Sequence, residues 1–227
     1  MKKKIKIDVV SDIVCPWCYI GKCRLEKAVD QLKSEYDVEV EYHPFELNPS
    51  LPSSGIPARE YLVEKFGGED RYEQITGRVT EVAAADGLHF DFEKQRVSPN
   101  TRKAHVLVAR AAQHGTQQKL VEAFFKAYFT DGVDLSDDNN LKAISRSVGL
   151  TDNEITSALE DANALAAIES EEKQMHKLGI SGVPFYIINK KYGVSGAQPV
   201  EHFVEILKEA SLEPQAAESC DLDGKNC

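Results

Sequence analysis

Cys15 and Cys18, with Pro16 and Trp17 between them, are two thiols at the spacing of a reversible disulfide. They stand where the apolar run Ile5 to Val10 gives way to a helix-like run, so Cys15 falls at a helix N-terminus. Unpaired backbone N–H groups and the helix dipole favour an anion there. CXXC cysteines at helix N-termini have pKa values lowered from about 8.5 into the range of roughly 3.5 to 7.5, which makes them nucleophilic at neutral pH. Cys18, one turn further in, is then the resolving thiol that attacks a mixed disulfide and releases the substrate. Pro16 is tolerated in the first turn because its missing N–H would be unpaired anyway, and Trp17 offers apolar surface beside the sulfur. A zinc site needs two more Cys or His ligands at short spacing, and no second CXXC or HxxxH follows, so no metal is expected.

Pro184 opens the apolar run Phe185 to Ile188. Proline lacks a ladder donor and marks an edge, a bulge or a cis bond; the scarcity of cis bonds makes a plain turn the reading from the residues alone. Asp12, three residues before Cys15, is a helix-cap candidate that could also take up protons near the thiols. Cys23 lies five residues beyond Cys18, off its helix face, and reads as a packing residue. His43, His105 and His176 fall in different elements without ligand spacing and read as structural. Phe124, Phe125, Tyr128 and Phe129 read as core, with any exposed remainder forming an apolar lip.

The elements that must position these residues follow from periodicity. Lys4 to Val10 and Val38 to Phe45 read as strands, and Cys15 to Tyr36, with Ile20, Leu25, Ala28, Val29 and Leu32 at helical spacing, reads as the helix between them. This is a βαβ unit with parallel strands. From Pro57 to Leu178 the periodicity is helical, with helices expected near 57–66, 70–86, 99–114, 116–129, 137–148, 151–160 and 162–178. Ser98-Pro99 is a helix-start candidate, and Thr151 to Glu154 a capping box. Strands return at Phe185 to Ile188 and Tyr192 to Ser195, followed by a helix from Pro199 to Ala210. The expected α/β organisation is one mixed sheet from residues 1–56 and 179–210, an inserted all-helical domain at 57–178, and a mobile tail at 211–227.

The formal charge of -10 leaves no basic stripe, which argues against nucleic acid as a partner. Lys6 and Asp8 interrupt the first apolar run, so it is not a signal-peptide core, and no run is long enough to span a bilayer. Five cysteines, at 15, 18, 23, 220 and 227, are too few and too clustered for a secreted disulfide framework. A cytoplasmic protein with no membrane partner is expected.

Ser11 to Lys22 (SDIVCPWCYIGK), Asn100 to His105 (NTRKAH), Gly179 to Phe185 (GISGVPF) and Gly193 to Gln198 (GVSGAQ) together resemble the DsbA-like thioredoxin-fold oxidoreductases, in particular their cytosolic FrnE-like branch. The resemblance spans nearly the whole chain and implies a thioredoxin-like fold with a large helical insertion. It implies protein disulfide oxidoreductase or isomerase activity on thiol- or disulfide-containing proteins or small molecules, with a redox-active disulfide in place of a bound cofactor. It also implies that Val183-Pro184 is a cis-proline loop packed on the CPWC pair, where the Val183 backbone would pair with an extended substrate, and that the NTRKAH segment faces the cleft. For Cys220 and Cys227 it suggests an auxiliary redox pair; idle thiols, or a weak metal pair with Asp221 and Asp223, are the other readings. Glutathione-dependent relatives, the kappa-type transferases and 2-hydroxychromene-2-carboxylate isomerases, typically hold serine at the active position. They supply the alternative function, with glutathione as co-substrate. Monomer and homodimer both stay open.

Overall fold

A computed structural model describes residues 2–212; Met1 and residues 213–227 lie outside the described residues, and with them Cys220, Cys227 and most of the expected mobile tail. Ser211 and Leu212, assigned to that tail, instead complete the last helix.

A four-stranded sheet has the order β2-β1-β5-β6. Its centre is β1 (Lys3–Ser11), buried from Ile7 onward. β2 (Tyr36–Pro44) runs parallel to β1 in a register from Lys3 opposite Tyr36 to Ser11 opposite Pro44. On its other side β5 (Phe185–Ile188) is antiparallel and pairs Ile7 with Ile188 and Val10 with Phe185, and β6 (Tyr192–Ser195) follows β5 through a tight turn. Asn189 and Lys190 take positive φ there, at 52° and 57°. A parallel β1–β2 pair demands a crossover, which α1 (Pro16–Leu32) supplies. α1 packs against α9 (Val200–Leu212), which also covers β1.

The expected helix over 15–36 ends early, at Leu32: the Glu35 amide bonds back to the Leu32 carbonyl and closes the turn, and Tyr36 already pairs as strand. The seven helices expected between the two halves of the sheet are present. They are α2 (Ala58–Phe66), α3 (Glu69–Ala85), α4 (Arg102–Ala112), α5 (Gln117–Phe129), α6 (Asp138–Ser147), α7 (Asp152–Glu160) and α8 (Ala162–Lys177). The Thr151 capping box is formed, with the Thr151 amide 2.8 Å from Glu154 Oε2.

Ser98-Pro99 does not start a helix. A residue before proline is driven to extended backbone, and Ser98 instead pairs with Ile56 in a short ladder of β3 (Ile56–Pro57) and β4 (Val97–Ser98). The helix begins three residues beyond Pro99, where Asn100 Oδ1 accepts from the Arg102 amide at 3.1 Å. α4, α5 and α8 pack against β2. Phe124, Phe125, Tyr128 and Phe129 are all buried, so the aromatic cluster is core and forms no lip. Tyr19 of α1 stacks on Phe125 at 4.9 Å between ring centroids, fastening the helix that carries the cysteines to the insertion.

Candidate active site

Cys15 is the N-cap of α1; its backbone donates to the Asp12 carbonyl at 3.1 Å, and its own carbonyl accepts from the Cys18 amide at 3.0 Å. Both cysteines are free thiols and almost fully buried. Burial pushes the Cys18 thiol well above the ordinary thiol range, and the adjacent Cys15 sulfur reinforces the shift. The Ser11 hydroxyl and the Asp12 backbone amide oppose it. Cys18 is therefore a thiol held protonated beside its partner.

The second wall comes from the other half of the sheet. The Val183-Pro184 peptide bond is cis, where the residues alone pointed to a turn, and Cys15 Sγ lies 3.7 Å from the Val183 carbonyl oxygen. The Gly196 amide holds the Pro184 carbonyl at 2.8 Å, tying this loop to the end of β6. Gly21 lets α1 come this close: a Cβ there would collide with Tyr186 Oη and stand 3.3 Å from Pro184 Cγ. Trp17 stays exposed at the rim, as does Leu47. The fold thus brings Cys15, Cys18, Trp17, Val183 and Pro184 to one place.

Asp12 does not cap α1. Its Oδ2 accepts from the Leu47 amide at 2.7 Å, and its Oδ1 turns toward His105 Nε2, 3.4 Å away and not aligned as a hydrogen bond. Beside it Glu46, also buried, accepts from Arg102 Nε at 2.8 Å. Burial raises the Glu46 carboxyl against the lowering influence of Arg102. From the NTRKAH segment, Asn100 donates to the Leu51 carbonyl at 3.2 Å, while Arg102 and His105 turn inward. His105 is thus less remote from the cysteines than its sequence position suggested.

His43 bridges three elements, with Nδ1 2.6 Å from Glu171 and Nε2 3.2 Å from Asp8. Asp8, Glu41 and His43 place ligand atoms within 4.8 Å of one another, the one group of metal-binding geometry among the described residues. The Lys6 ammonium already occupies it, 2.6 Å from Glu41 and 3.5 Å from Asp8. His176 bonds the Ile180 carbonyl at 3.1 Å. Cys23 faces the Asp86 carbonyl at 3.4 Å, away from the cysteine pair.

Residues 6–208 match the family described as DSBA-like thioredoxin domain. The chain belongs to the DsbA-like thioredoxin family. The structure is similar to that of a probable DsbA oxidoreductase from Streptomyces coelicolor, with 32% identity and a TM-score of 0.87 over 96% of this chain and 94% of that one. The protein YwbO of Bacillus subtilis (strain 168) is 29% identical over 81% of this chain and 86% of its own length. The cytosolic disulfide reductase DsbM from Pseudomonas aeruginosa shares the fold, with a TM-score of 0.64 at 15% identity over 90% of this chain and 98% of that one.

In this DsbA-like chain, sequence reasoning passed over Glu46 and Tyr186, and gave Ser11, Gly21 and Arg102 no role of their own within the motifs that contain them. Ser11 and Gly21 flank the CPWC motif directly, and that adjacency was the available signal. Glu46 and Arg102 pair across 56 positions; Arg102 stands in the NTRKAH segment, but nothing local marks Glu46 as its partner.

Proposed function

We propose that the protein is a thiol–disulfide oxidoreductase acting through Cys15 and Cys18 on thiol- or disulfide-containing proteins or small molecules. The observation that carries this reading is the Cys15 sulfur set against the Val183 carbonyl with Cys18 beside it, a thiol that burial keeps protonated. The nucleophile in exchange is a thiolate, which assigns attack to Cys15 and resolution to Cys18. In the reducing direction, the Cys15 sulfur attacks a substrate disulfide and one substrate sulfur leaves as thiolate. Cys18 then attacks the Cys15 sulfur of the mixed disulfide, forming the Cys15–Cys18 bond and releasing the second substrate sulfur. The dithiol is oxidised and the substrate disulfide reduced; the reverse sequence oxidises a dithiol. Trp17 and the Val183 backbone would hold the substrate segment. Cys220 and Cys227 are the candidate second pair to exchange with this site, and a cytoplasmic setting fits the cysteine usage. Among the described residues no helix is long and apolar enough to cross a membrane.

The test is turnover of a protein disulfide by wild type, Cys15→Ser and Cys18→Ser. The proposal expects no turnover from either variant, and a stable mixed disulfide on Cys15 in Cys18→Ser. A glutathione-dependent isomerase would keep its activity in Cys18→Ser, because its chemistry needs no resolving thiol.

A further inference from the structure

Four buried side-chain atoms around Asp12 and the end of β1 have no hydrogen-bond partner among the described residues: Ser11 Oγ, Asp12 Oδ1, Glu46 Oε2 and His105 Nε2. Their residues are 4%, 1%, 3% and 4% exposed. A polar group buried without a partner costs about 1–3 kcal/mol, so natural proteins supply such groups with ordered water. Space for it lies beside two of these residues, Ser11 and His105. A crevice of about 110 Å³ between β2, α4, α5 and α8 is lined by Ser11, Ile13 and His105 and also by Glu41, His43 and Glu171. A water molecule's share of liquid volume is about 30 Å³, so the crevice holds more than one.

Two features give this crevice a direction. Ser11 ends β1, and its hydroxyl faces the Cys18 thiol without a hydrogen bond of regular geometry, so it is free to turn toward sulfur or toward the crevice. Neither Trp17 nor Val183 lines the crevice, so a substrate lying over the cysteines would leave it open. The resolving thiol has to lose its proton while the substrate, still joined to Cys15, covers the outer face of the site.

We infer that the crevice is the proton path of the resolving cysteine, with Ser11 passing the Cys18 proton through crevice water to His105. The inference rests on the exchange chemistry proposed above. As Cys18 gives its proton to Ser11 Oγ, Ser11 gives its own hydroxyl proton to water and water gives one to the His105 imidazole. The electron pair freed on the Cys18 sulfur forms the bond to Cys15, and the pair of the broken Cys15–substrate bond departs with the substrate sulfur. The imidazolium that results lies against Asp12 Oδ1 at 3.4 Å and near Glu46, and returns its proton to solvent through the crevice. Ser11, which touches the reacting thiol, is the catalytic residue of this path, and His105, which acts through it, is a positioning residue. Of the groups around His105 that titrate or carry charge, Asp12 before α1 stands against it and Glu46 after β2 feels its charge, while Arg102 on its own helix and Glu172 of α8 in turn bond Glu46. Around the crevice and beyond Asp12 stand Glu41, Tyr42 and His43 of β2, Glu171 of α8 and Tyr128 of α5.

The test uses the full-length chain with Cys23, Cys220 and Cys227 replaced by serine, reduced and mixed with one equivalent of dithiobis(nitrobenzoate). Attack by Cys15 releases one nitrobenzoate thiolate, and resolution by Cys18 releases a second; the two phases are timed across pH by stopped flow. Ser11→Ala and His105→Gln are expected to slow the second phase alone, on the order of a hundredfold, the lower end of what a positioned proton-transfer group contributes. His105→Gln should also alter its pH–rate profile, and Ser11→Thr, which keeps the hydroxyl, should restore the rate. An unchanged second phase and profile in Ser11→Ala overturn the inference while leaving the exchange reading intact. Absence of any second release from the wild-type background overturns the exchange reading itself. Should His105→Gln fail to fold by circular dichroism, the Ser11→Ala and Ser11→Thr pair decides.

Discussion

Cys15 Sγ stands 3.7 Å from the Val183 carbonyl oxygen, across 168 positions of sequence. The contact sets that sulfur against a backbone edge, so under the proposed exchange an extended chain laid along Val183 would arrive with its own sulfur in line. The exposed ring of Trp17 borders the same spot.

Trp17→Ala should therefore separate protein substrates from small ones. KM for a protein disulfide rises by about threefold to tenfold, in keeping with loss of one aromatic contact, while the rate with a small aromatic disulfide changes little. Steady-state kinetics with both substrates check this.

Gly21 and Tyr186 give a second expectation. Gly21→Ala drives a Cβ into Tyr186 Oη and should destabilise the fold by about 1–3 kcal/mol. Tyr186 Oη has no hydrogen-bond partner among the described residues, so Tyr186→Phe alone should be close to neutral. The double variant should recover most of the loss, and a urea-denaturation double-mutant cycle measures the coupling.

Arg102 compensates a carboxylate that is otherwise sealed: the Glu46 side chain is 1% exposed and that of Arg102 30%. Breaking a fully buried pair costs about 3–5 kcal/mol; with the guanidinium partly in solvent, Arg102→Ala should cost about 2–3 kcal/mol. The combination with Glu46→Gln should cost less than Arg102→Ala alone, as read from denaturation midpoints.

His43 sets a pH dependence. Burial works against its charged form, but the hydrogen bonds its ring donates to Glu171 and Asp8 outweigh this and raise its pKa above the ordinary value. Its contribution to stability is thus fully present below about pH 6.5, the unperturbed histidine value, and is lost as pH rises through the higher folded value. Wild type minus His43→Gln, measured by urea denaturation from acid to mildly alkaline pH, should show a stability difference that shrinks across that window.

The order of elements was legible because each carries its own period. The alternation and apolar run of Lys4 to Val10, the helical spacing through Leu32 and the capping box at Thr151 needed no tertiary information. Boundaries failed where tertiary pairing decided them. Tyr36 leaves the helix because it lines up with Lys3, and Ser98 pairs with Ile56 instead of opening a helix. The CPWC pair announced itself, but the cis bond at Pro184 came only from the resemblance. Asp12 was seen and its cap role was wrong, since the Leu47 amide, 35 positions away, claims the carboxylate. Glu46, Arg102 and His105 became a group only when β2 and α4 were packed together.

Oxidation of the reduced, full-length protein in graded glutathione buffers, followed by mass spectrometry of peptides spanning residues 15 and 18, is the most direct measurement. A linkage between Cys15 and Cys18, lost and regained reversibly as the buffer changes, is the expected result. If the two sulfurs are found only as free thiols or as separate glutathione adducts at every ratio, the proposed exchange chemistry is wrong.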